Sequence, residues 1–210
     1  MSDSIEKQAT PGVLHQSPPA DPFQLFGSWM AEAKEAEIND HDAVALASVA
    51  ADGMPSVRMV LLRQWSDEGF VFFTNYTSRK SDELLATGKA ALCLHWKSLR
   101  RQIRAVGRIE KASAAVSDGY FASRPRGSQI GAWASDQSQP LASREALQEK
   151  VAELEKSWQD RPVDRPPHWG GFLLRPQEIE FWADGAFRLH DRFRYTKSAT
   201  GSWQAIRLNP

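Results

Sequence analysis

Short apolar stretches joined by tight turns recur along most of this sequence, and they restrict its fold more than any other feature. Turn residues such as Asp52-Gly53 and Asp184-Gly185 separate several of these stretches. Strands are predicted near residues 43–50, 55–63, 70–74, 90–97, 101–111, 169–175, 177–183, 186–196 and 202–208. Strands outnumber helices, which favours an antiparallel sheet closed into a barrel, with helices packed outside. The predicted class is therefore a β-barrel with flanking helices (α+β).

Fewer helices than strands are predicted. One begins at Asp21-Pro22 and runs to about Ile38, with a capping carboxylate followed by proline at the first helical position. Others are predicted after Thr77-Ser78 up to Gly88, from Ser113 to Ser123 and from Ser143 to Asp160. Residues 1–20 are polar and contain three prolines, which predicts a flexible arm before a single domain spanning 21–210.

Composition excludes several classes of protein. Lys+Arg and Asp+Glu number 26 each, so overall charge gives no reason to expect a nucleic acid partner. No apolar run approaches a membrane span, and Cys93, the only cysteine, excludes intrachain disulfides and cysteine-based metal sites. The histidines lack metal-ligand spacing, so no metal is expected. Cytoplasm is the expected location.

Two neighbouring basic stretches suit an anion. Arg58 and Arg63 flank four apolar residues of a predicted strand, and Thr77-Ser78-Arg79-Lys80 opens a predicted helix, where free N–H groups attract negative charge. Arg58 and the helix start could face one phosphate, or these cations could reach solvent. Arg58 and Arg63 are five residues apart, so a regular strand points them to opposite faces.

A third basic stretch lies near the C-terminus. If residues 187–193 form a strand, Arg188, His190 and Arg192 share one face, and a row of cations needs an anionic or electron-rich partner. Trp182 supplies an aromatic wall just before it. The alternative is a solvated polar face of an edge strand.

The remaining donors suggest a phosphorylated, planar ligand. Tyr120, Arg124, Ser128 and the pair Gln137-Ser138 provide donors at a density that suits a phosphate monoester, unless they form a surface loop. Gln102 shares a strand face with Arg104. Its amide could form hydrogen bonds with the donors and acceptors of a planar heterocycle. The residues alone do not name this ligand.

Taken together, these motifs resemble the pyridoxine/pyridoxamine 5'-phosphate oxidase family. The resemblance covers about residues 21–210. It is carried by Arg58-Met59-Val60-Leu61-Leu62, Ser78-Arg79-Lys80, Ser123 to Trp133, Gln137-Ser138, Phe181-Trp182, Arg188-Leu189-His190-Asp191-Arg192 and the ending Arg207-Leu208-Asn209-Pro210.

This resemblance implies an antiparallel FMN-binding split barrel that works as a homodimer, with each FMN held between subunits. It implies oxidation of pyridoxamine or pyridoxine 5'-phosphate to pyridoxal 5'-phosphate, as in vitamin B6 biosynthesis and salvage. A hydride passes from the substrate to the flavin, and O2 accepts the electrons and is released as H2O2.

The resemblance also implies residue roles. Expected FMN contacts are Arg58, Met59, Val60, Leu61, Leu62, Arg63, Phe73, Thr74, Arg79, Lys80, Gln102, Gln137, Ser138, Trp182 and Arg192. Expected substrate contacts are Arg63, Tyr120, Arg124, Ser128, Arg188, Leu189 and His190. Arg188 and His190 are the expected catalytic pair over the reacting carbon.

Three features of this chain depart from the family pattern. Arg63 replaces the usual lysine, Ala183-Asp184-Gly185 replaces Gln-Gly-Gly, and the N-terminal arm lacks an Arg-x-x-Tyr pattern. One alternative is a related split-barrel flavoprotein oxidase of the phenazine-pathway type. Another is a flavin- or pyridoxal-phosphate-binding protein with weak turnover.

Overall fold

The computed structural model describes residues 18–210 of the protein. The predicted arm of residues 1–20 lies almost entirely outside this range. The expectation about its Arg-x-x-Tyr pattern therefore also falls outside the described residues. In chain order the elements are α1 (Pro22–Ala36), β1 (Ala43–Val49), β2 (Pro55–Ser66), β3 (Gly69–Asn75), α2 (Arg79–Thr87), β4 (Lys89–Trp96), β5 (Arg101–Lys111), α3 (Ala114–Ser123), α4 (Arg126–Ala134), α5 (Arg144–Ser157), β6 (Trp169–Ala183), a 3-10 turn (Ala186–Arg188), β7 (Asp191–Lys197) and β8 (Trp203–Arg207).

Six antiparallel strands close into a barrel. They follow the order β3-β2-β1-β4-β5-β6, and a further pairing of β3 with β6 closes the ring. β7 and β8 continue the sheet beyond β6. The predicted antiparallel barrel with flanking helices is thus confirmed.

β6 is one long strand where the sequence predicted two. Residues 169–174 pair with β3 and residues 178–183 pair with β7, while β5 runs along the other edge. The register shifts near Gly107, where a Cβ atom would stand 2.0 Å from the Arg175 carbonyl oxygen. Glycine is therefore required there, and the long strand carries the sheet out of the barrel towards β7.

The main apolar core fills the barrel and reaches α1. Phe26 and Trp29 of this helix are at most 1% exposed, and Phe72 and Phe172 meet inside the barrel with ring centroids 5.9 Å apart. Asp21 caps α1 by accepting a hydrogen bond of 2.9 Å from the Phe23 backbone, a contact that typically contributes about 1 kcal/mol. The packed core therefore supports the strands that carry the predicted ligand contacts.

A second apolar cluster joins the helices to the start of β6. Its buried members include Phe121 of α3, Ile130 of α4 and Trp169 of β6. The sequence did not predict α4, whose run of Arg126 to Ala134 contains two glycines and shows no clear apolar stripe. Tertiary packing of Ile130 stabilises this helix despite its weak local preference.

Within the described part of the chain, no helix is both long enough and apolar enough to cross a bilayer. The same residues contain no group of three or more His, Cys, Asp or Glu side chains placed to hold a metal ion.

Candidate ligand-binding site

A cavity of about 680 Å³ lies beside β2 and β3, under α3 and α4. This volume falls in the range of small-molecule binding sites. It brings together eleven residues that the sequence assigned to FMN or substrate: Met59, Val60, Leu61, Arg63, Phe73, Thr74, Lys80, Tyr120, Arg124, Ser128 and Gln137. Residues separated by almost eighty positions in the chain therefore line one space.

Arg124 is the strongest indication of an anionic ligand in this cavity. Its Nη1 is buried and has no hydrogen-bond partner among residues 18–210. The guanidinium lies over the Trp169 ring at 4.7 Å, and burial lowers the pKa of Arg124. An arginine keeps its charge in proteins, so an unsatisfied buried donor favours binding of a phosphate or carboxylate.

Aromatic stacking positions the cavity wall around Arg124. The Phe73 and Tyr120 rings stack with centroids 4.0 Å apart, and Trp169 lies 5.6 Å from Phe73. These contacts fix Tyr120, whose hydroxyl is one of the predicted donors. Ser128 reaches the same cavity because α4 begins immediately after Pro125.

Lys80 is a second cation in the cavity lining, and it enters from the first turn of α2. Its Nζ donates to Thr74 Oγ1 at 2.9 Å, Ser78 Oγ at 3.1 Å and Gln137 Oε1 at 2.5 Å. Burial, reinforced by the charge of Arg58, lowers the pKa of Lys80 to about 8. These three oxygens are uncharged, so the ammonium keeps its attraction for an anion.

Arg58 points away from the cavity lining and into a buried ionic network. Its Nη2 lies 3.0 Å from Glu83 Oε2, and Arg79 Nε lies 2.9 Å from the other carboxylate oxygen. Ser48 and Ser56 also donate to Glu83. Burial acts to raise the pKa of this carboxyl, but these hydrogen bonds lower it to about 2. Glu83 therefore stays ionised and holds both arginines together.

Arg63 lies on the other side of β2. It occupies a bulge, because Leu62 pairs with Phe72 while Gln64 pairs with the adjacent Val71. Its Nη1 donates to Asp42 Oδ2 at 2.7 Å, and its side chain lines the cavity with Arg124. Leu62, an expected FMN contact, faces the core and is 3% exposed. The alternation of the strand thus separates Arg58 from Arg63.

A second cluster of predicted residues lies on the extension of the sheet. Gln102, Trp182 and Arg192 are direct neighbours across β5, β6 and β7. Arg192 Nε donates to the buried Glu180 at 2.9 Å. The His190 ring packs against Trp182, with centroids 4.7 Å apart.

The predicted row of Arg188, His190 and Arg192 on one strand face is wrong. β7 begins at Asp191, and residues 186–188 form a 3-10 turn. Phe187 and Arg188 have φ values of 55° and 62°, in the left-handed region. Such a conformation costs non-glycine residues roughly 1–3 kcal/mol each. A turn rather than a strand therefore presents Arg188 and Leu189, both of which are exposed.

In a single chain the two clusters remain separate. Within the described residues, the lining of the cavity includes none of ten predicted contacts: Arg58, Leu62, Arg79, Gln102, Ser138, Trp182, Arg188, Leu189, His190 and Arg192. The roles assigned to these residues, and to those in the cavity, stay predictions.

Four acidic residues that sequence reasoning missed hold the predicted cations. Glu83 pairs with Arg58 and Arg79, and Glu180 pairs with Arg104 and Arg192. The four-residue spacing of Arg79 and Glu83 on a predicted helix was a signal for the first pairing. Asp42 and Asp184, which contact Arg63 and His190, have no comparable spacing.

Beside the cavity, and sharing Met59 with its lining, apolar side chains form an exposed patch on the barrel wall, here called the apolar row. Met59, Ala45 and Cys93 are cross-strand neighbours on β2, β1 and β4. Val57, Ala47, Ala91 and Val106 form a parallel line on β2, β1, β4 and β5. Val57 is 68% exposed and Met59 is 63% exposed, which is typical of a surface that binds another protein.

Family models match most of the chain. The model described as pyridoxamine 5'-phosphate oxidase matches residues 30–157, and the pyridoxine 5'-phosphate oxidase C-terminal dimerisation region matches residues 169–210. Proteins named pyridoxine/pyridoxamine 5'-phosphate oxidase from Brucella canis and Brucella suis are 55% identical over 192 residues. These alignments cover 91% of this chain and 95% of each Brucella protein.

Solved structures support the same fold. PhzG from Burkholderia lata 383, in complex with tetrahydrophenazine-1-carboxylic acid, matches with a TM-score of 0.89 and 34% identity, covering 96% of this chain and all of that one. A pyridoxamine 5'-phosphate oxidase-related, FMN binding protein from Nostoc punctiforme matches with a TM-score of 0.73 and 16% identity. That match covers 93% of this chain and 100% of the Nostoc chain.

Proposed function

This chain belongs to the pyridoxamine 5'-phosphate oxidase family, and on that premise we propose that it oxidises pyridoxamine 5'-phosphate or pyridoxine 5'-phosphate to pyridoxal 5'-phosphate. The enzyme is a flavin-dependent oxidoreductase, and we propose FMN as the flavin and O2 as the electron acceptor. The observation that carries the substrate assignment is the buried Nη1 of Arg124 in the cavity, which has no hydrogen-bond partner among residues 18–210.

The substrate phosphate is proposed to bind at Arg124. Tyr120 and Ser128 line the same cavity and supply hydroxyl donors, and Arg63 adds a second guanidinium. A phosphate monoester offers three acceptor oxygens and carries roughly −1.5 to −2 charges at pH 7. Charge-assisted hydrogen bonds to such a group are about twice as strong as neutral ones, so this set favours a phosphorylated substrate.

The FMN phosphate is proposed to bind near Lys80, Arg58 and Arg79. Three cations in this region accompany one carboxylate, Glu83, so two positive charges remain for the dianion. Lys80 donates to uncharged oxygens, and its lowered pKa of about 8 indicates a site that gains from an added anion. These donors fit the phosphate of FMN.

The strand face beside these cations suits the flat part of the cofactor. Met59, Val60 and Leu61 of β2 and Phe73 and Thr74 of β3 line the cavity wall. Bound FMN supplies the redox chemistry, accepting a hydride from the substrate and passing the electrons to O2. The protein binds and orients the two molecules.

We propose that the chain forms a homodimer with FMN at the subunit interface. The match of residues 169–210 to a dimerisation region supports this assembly, as does the apolar row on the barrel wall. Pairing would bury Val57 and Met59 and could bring Trp182, Arg188 and His190 of one subunit to the cavity of the other. The two separated clusters would then form one site.

In that site, Arg188 and His190 are proposed to contact the substrate near the reacting carbon. A fixed cation there orients the substrate and stabilises negative charge as it develops. Ser138, Gln102 and Arg192 are proposed as further FMN contacts. We also propose a cytoplasmic location, since a lone cysteine gives no disulfide framework.

The alternative is an oxidase of the phenazine-pathway type, favoured by the structural similarity to PhzG. The 55% identity to proteins named pyridoxine/pyridoxamine 5'-phosphate oxidase favours the first proposal. A binding protein with weak turnover is the remaining alternative, and Arg63 in place of lysine motivates it.

Purified protein loaded with FMN tests these proposals. We expect a flavin absorption spectrum and steady H2O2 release with pyridoxamine 5'-phosphate, measured by a peroxidase-coupled assay. Unphosphorylated pyridoxamine is the matched control and should react far more slowly, because Arg124 then lacks its partner. An FMN-loaded sample without turnover on either phosphorylated substrate would overturn the proposed activity.

A further inference from the structure

The loop between β6 and β7 contains an acid–imidazole pair, of which the proposed reaction uses only the imidazole of His190. Asp184 Oδ1 lies 3.1 Å from His190 Nδ1, and the two side chains are 11% and 23% exposed. The His190 ring also packs against Trp182 at 4.7 Å. One face of the imidazole thus rests on an aromatic ring, and one nitrogen faces a carboxylate.

Nδ1 of His190 has a partner in either protonation state. An ionised carboxylate only accepts hydrogen bonds, so the short contact with Asp184 is favourable when Nδ1 carries a proton. When Nδ1 carries a lone pair instead, the Gly185 N–H, which lies 3.2 Å away, donates to it. A proton on Nδ1 excludes the donation from Gly185, so the charge of Asp184, 3.1 Å away, acts on which ring nitrogen keeps the proton.

Asp184 itself is held firmly at the end of β6. Its backbone N–H donates to the Arg100 carbonyl at 3.0 Å, and its carboxylate forms an ion pair with the Arg100 side chain. At the next residue, Gly185, a Cβ atom would stand 2.0 Å from the Leu189 carbonyl oxygen. The loop is therefore closed tightly around the acid–imidazole pair.

We propose that Asp184 is a positioning residue, which keeps the proton on Nδ1 of His190 and leaves Nε2 as the nitrogen that meets the substrate. The proposal rests on the proposed function, which gives His190 its substrate contact. It assigns a role to a residue that departs from the usual Gln-Gly-Gly sequence of the family.

The first test reads the proton directly and needs no turnover. Two-dimensional ¹H–¹⁵N spectra of the histidine rings in the FMN-loaded protein, with His190 assigned by its loss in His190→Asn, report which nitrogen is protonated. We expect Nδ1 to be protonated in the wild type. In Asp184→Asn, where an amide N–H can donate to Nδ1, we expect the proton on Nε2. A wild-type neutral ring protonated on Nε2 would overturn the proposal.

The second test is a double-mutant cycle on turnover. Asp184→Asn should lower kcat about tenfold in the wild-type background and by less than about twofold when His190 is already asparagine. FMN affinity should stay unchanged. An equal loss in both backgrounds, or a parallel loss of FMN, would show a general structural role and overturn the proposal.

Arg100→Gln is the matched control. It removes the other ionic partner of Asp184 but leaves the carboxylate beside His190, so kcat and the ring proton should stay close to wild type. A collapse of both would show that loop anchoring is the role of Asp184. If wild-type protein does not oxidise pyridoxamine 5'-phosphate, the proposed function fails, while the spectra still decide the position of the proton.

Discussion

The cavity beside β2 and the loop between β6 and β7 offer opposite ways to present an arginine. Arg124 lies in the cavity, where its guanidinium rests over the Trp169 ring beside the stacked Phe73 and Tyr120 before any ligand arrives. Arg188 is exposed, on a turn whose residues adopt positive φ values. The first arrangement suits recognition of a substrate group that does not change. The second suits a side chain that acts in a site completed by another subunit.

Arg188→Ala tests the loop and should have the largest effect. If Arg188 acts near the reacting carbon, we expect kcat to fall roughly 10²- to 10³-fold, as when a donor that stabilises developing charge is removed. FMN retention should change little. Stopped-flow reduction of the flavin by pyridoxamine 5'-phosphate, together with FMN titration, measures both. Equal losses of turnover and FMN would show that the role of Arg188 is wrongly assigned.

Arg124→Ala tests the cavity. Loss of a charged donor to the substrate phosphate should lower kcat/KM about 100-fold, mainly by raising KM. Arg126→Ala is the matched control, since Arg126 donates to the carbonyls of Trp158 and Arg161 outside the cavity. Its kinetics should be near wild type. Similar losses in both variants would point to damage of the helices rather than to phosphate binding.

Lys80 predicts a pH dependence of FMN binding. Its pKa of about 8 in the folded protein lies below the ordinary 10.5, so the unfolded chain binds more protons between these values. The buried charge therefore costs stability below pH 8, and this cost disappears as the pH rises towards 10.5. FMN needs the charged form, so affinity should fall about tenfold from pH 7 to pH 9. Titrations of apoprotein with FMN should show this slope in the wild type and a flatter one in Lys80→Met.

Arg63→Lys should have the smallest effect. Lysine keeps the charge and restores the residue usual in the family, so activity should stay within about threefold of wild type or improve. Asp42 remains available to pair with it. A steady-state assay with pyridoxamine 5'-phosphate is sufficient. A large loss would show that the planar guanidinium of Arg63 has a role of its own.

The two regions also differ in how much of their structure could be predicted from the sequence. Alternating apolar residues and tight turns predicted β1 to β5 closely, since each strand has a local signal and a short connection. The Asp21 cap and the boundary at Gly88 predicted α1 and α2 in the same way. These elements carry many of the residues that line the cavity. That part of the lining could therefore be predicted once the strands were predicted.

The loop could not be predicted from local pattern. Alternation in residues 187–193 looked like a strand, but residues 186–188 form a turn, and the loop before them is anchored by contacts of Asp184 with the distant Arg100. α4 was missed because its helical preference is weak and its packing against Trp169 supplies the stability. Acidic partners such as Glu180 and Asp42 are distant in sequence from several of the cations they hold, and spacing alone does not reveal such pairs.

The bulge in β2 is a place where we expect the barrel to tolerate a change in length. Arg63 is the extra residue, and β3 has no residue opposite it, so the flanking pairs Leu62–Phe72 and Gln64–Val71 would stay in register after its deletion. We expect such a deletion variant to fold, as its thermal denaturation curve would test, and to lose one charge above the cavity. Insertion or deletion of one residue at this bulge is thus a route by which related barrels could change the charge that faces the ligand. The pairing of the strands would stay the same.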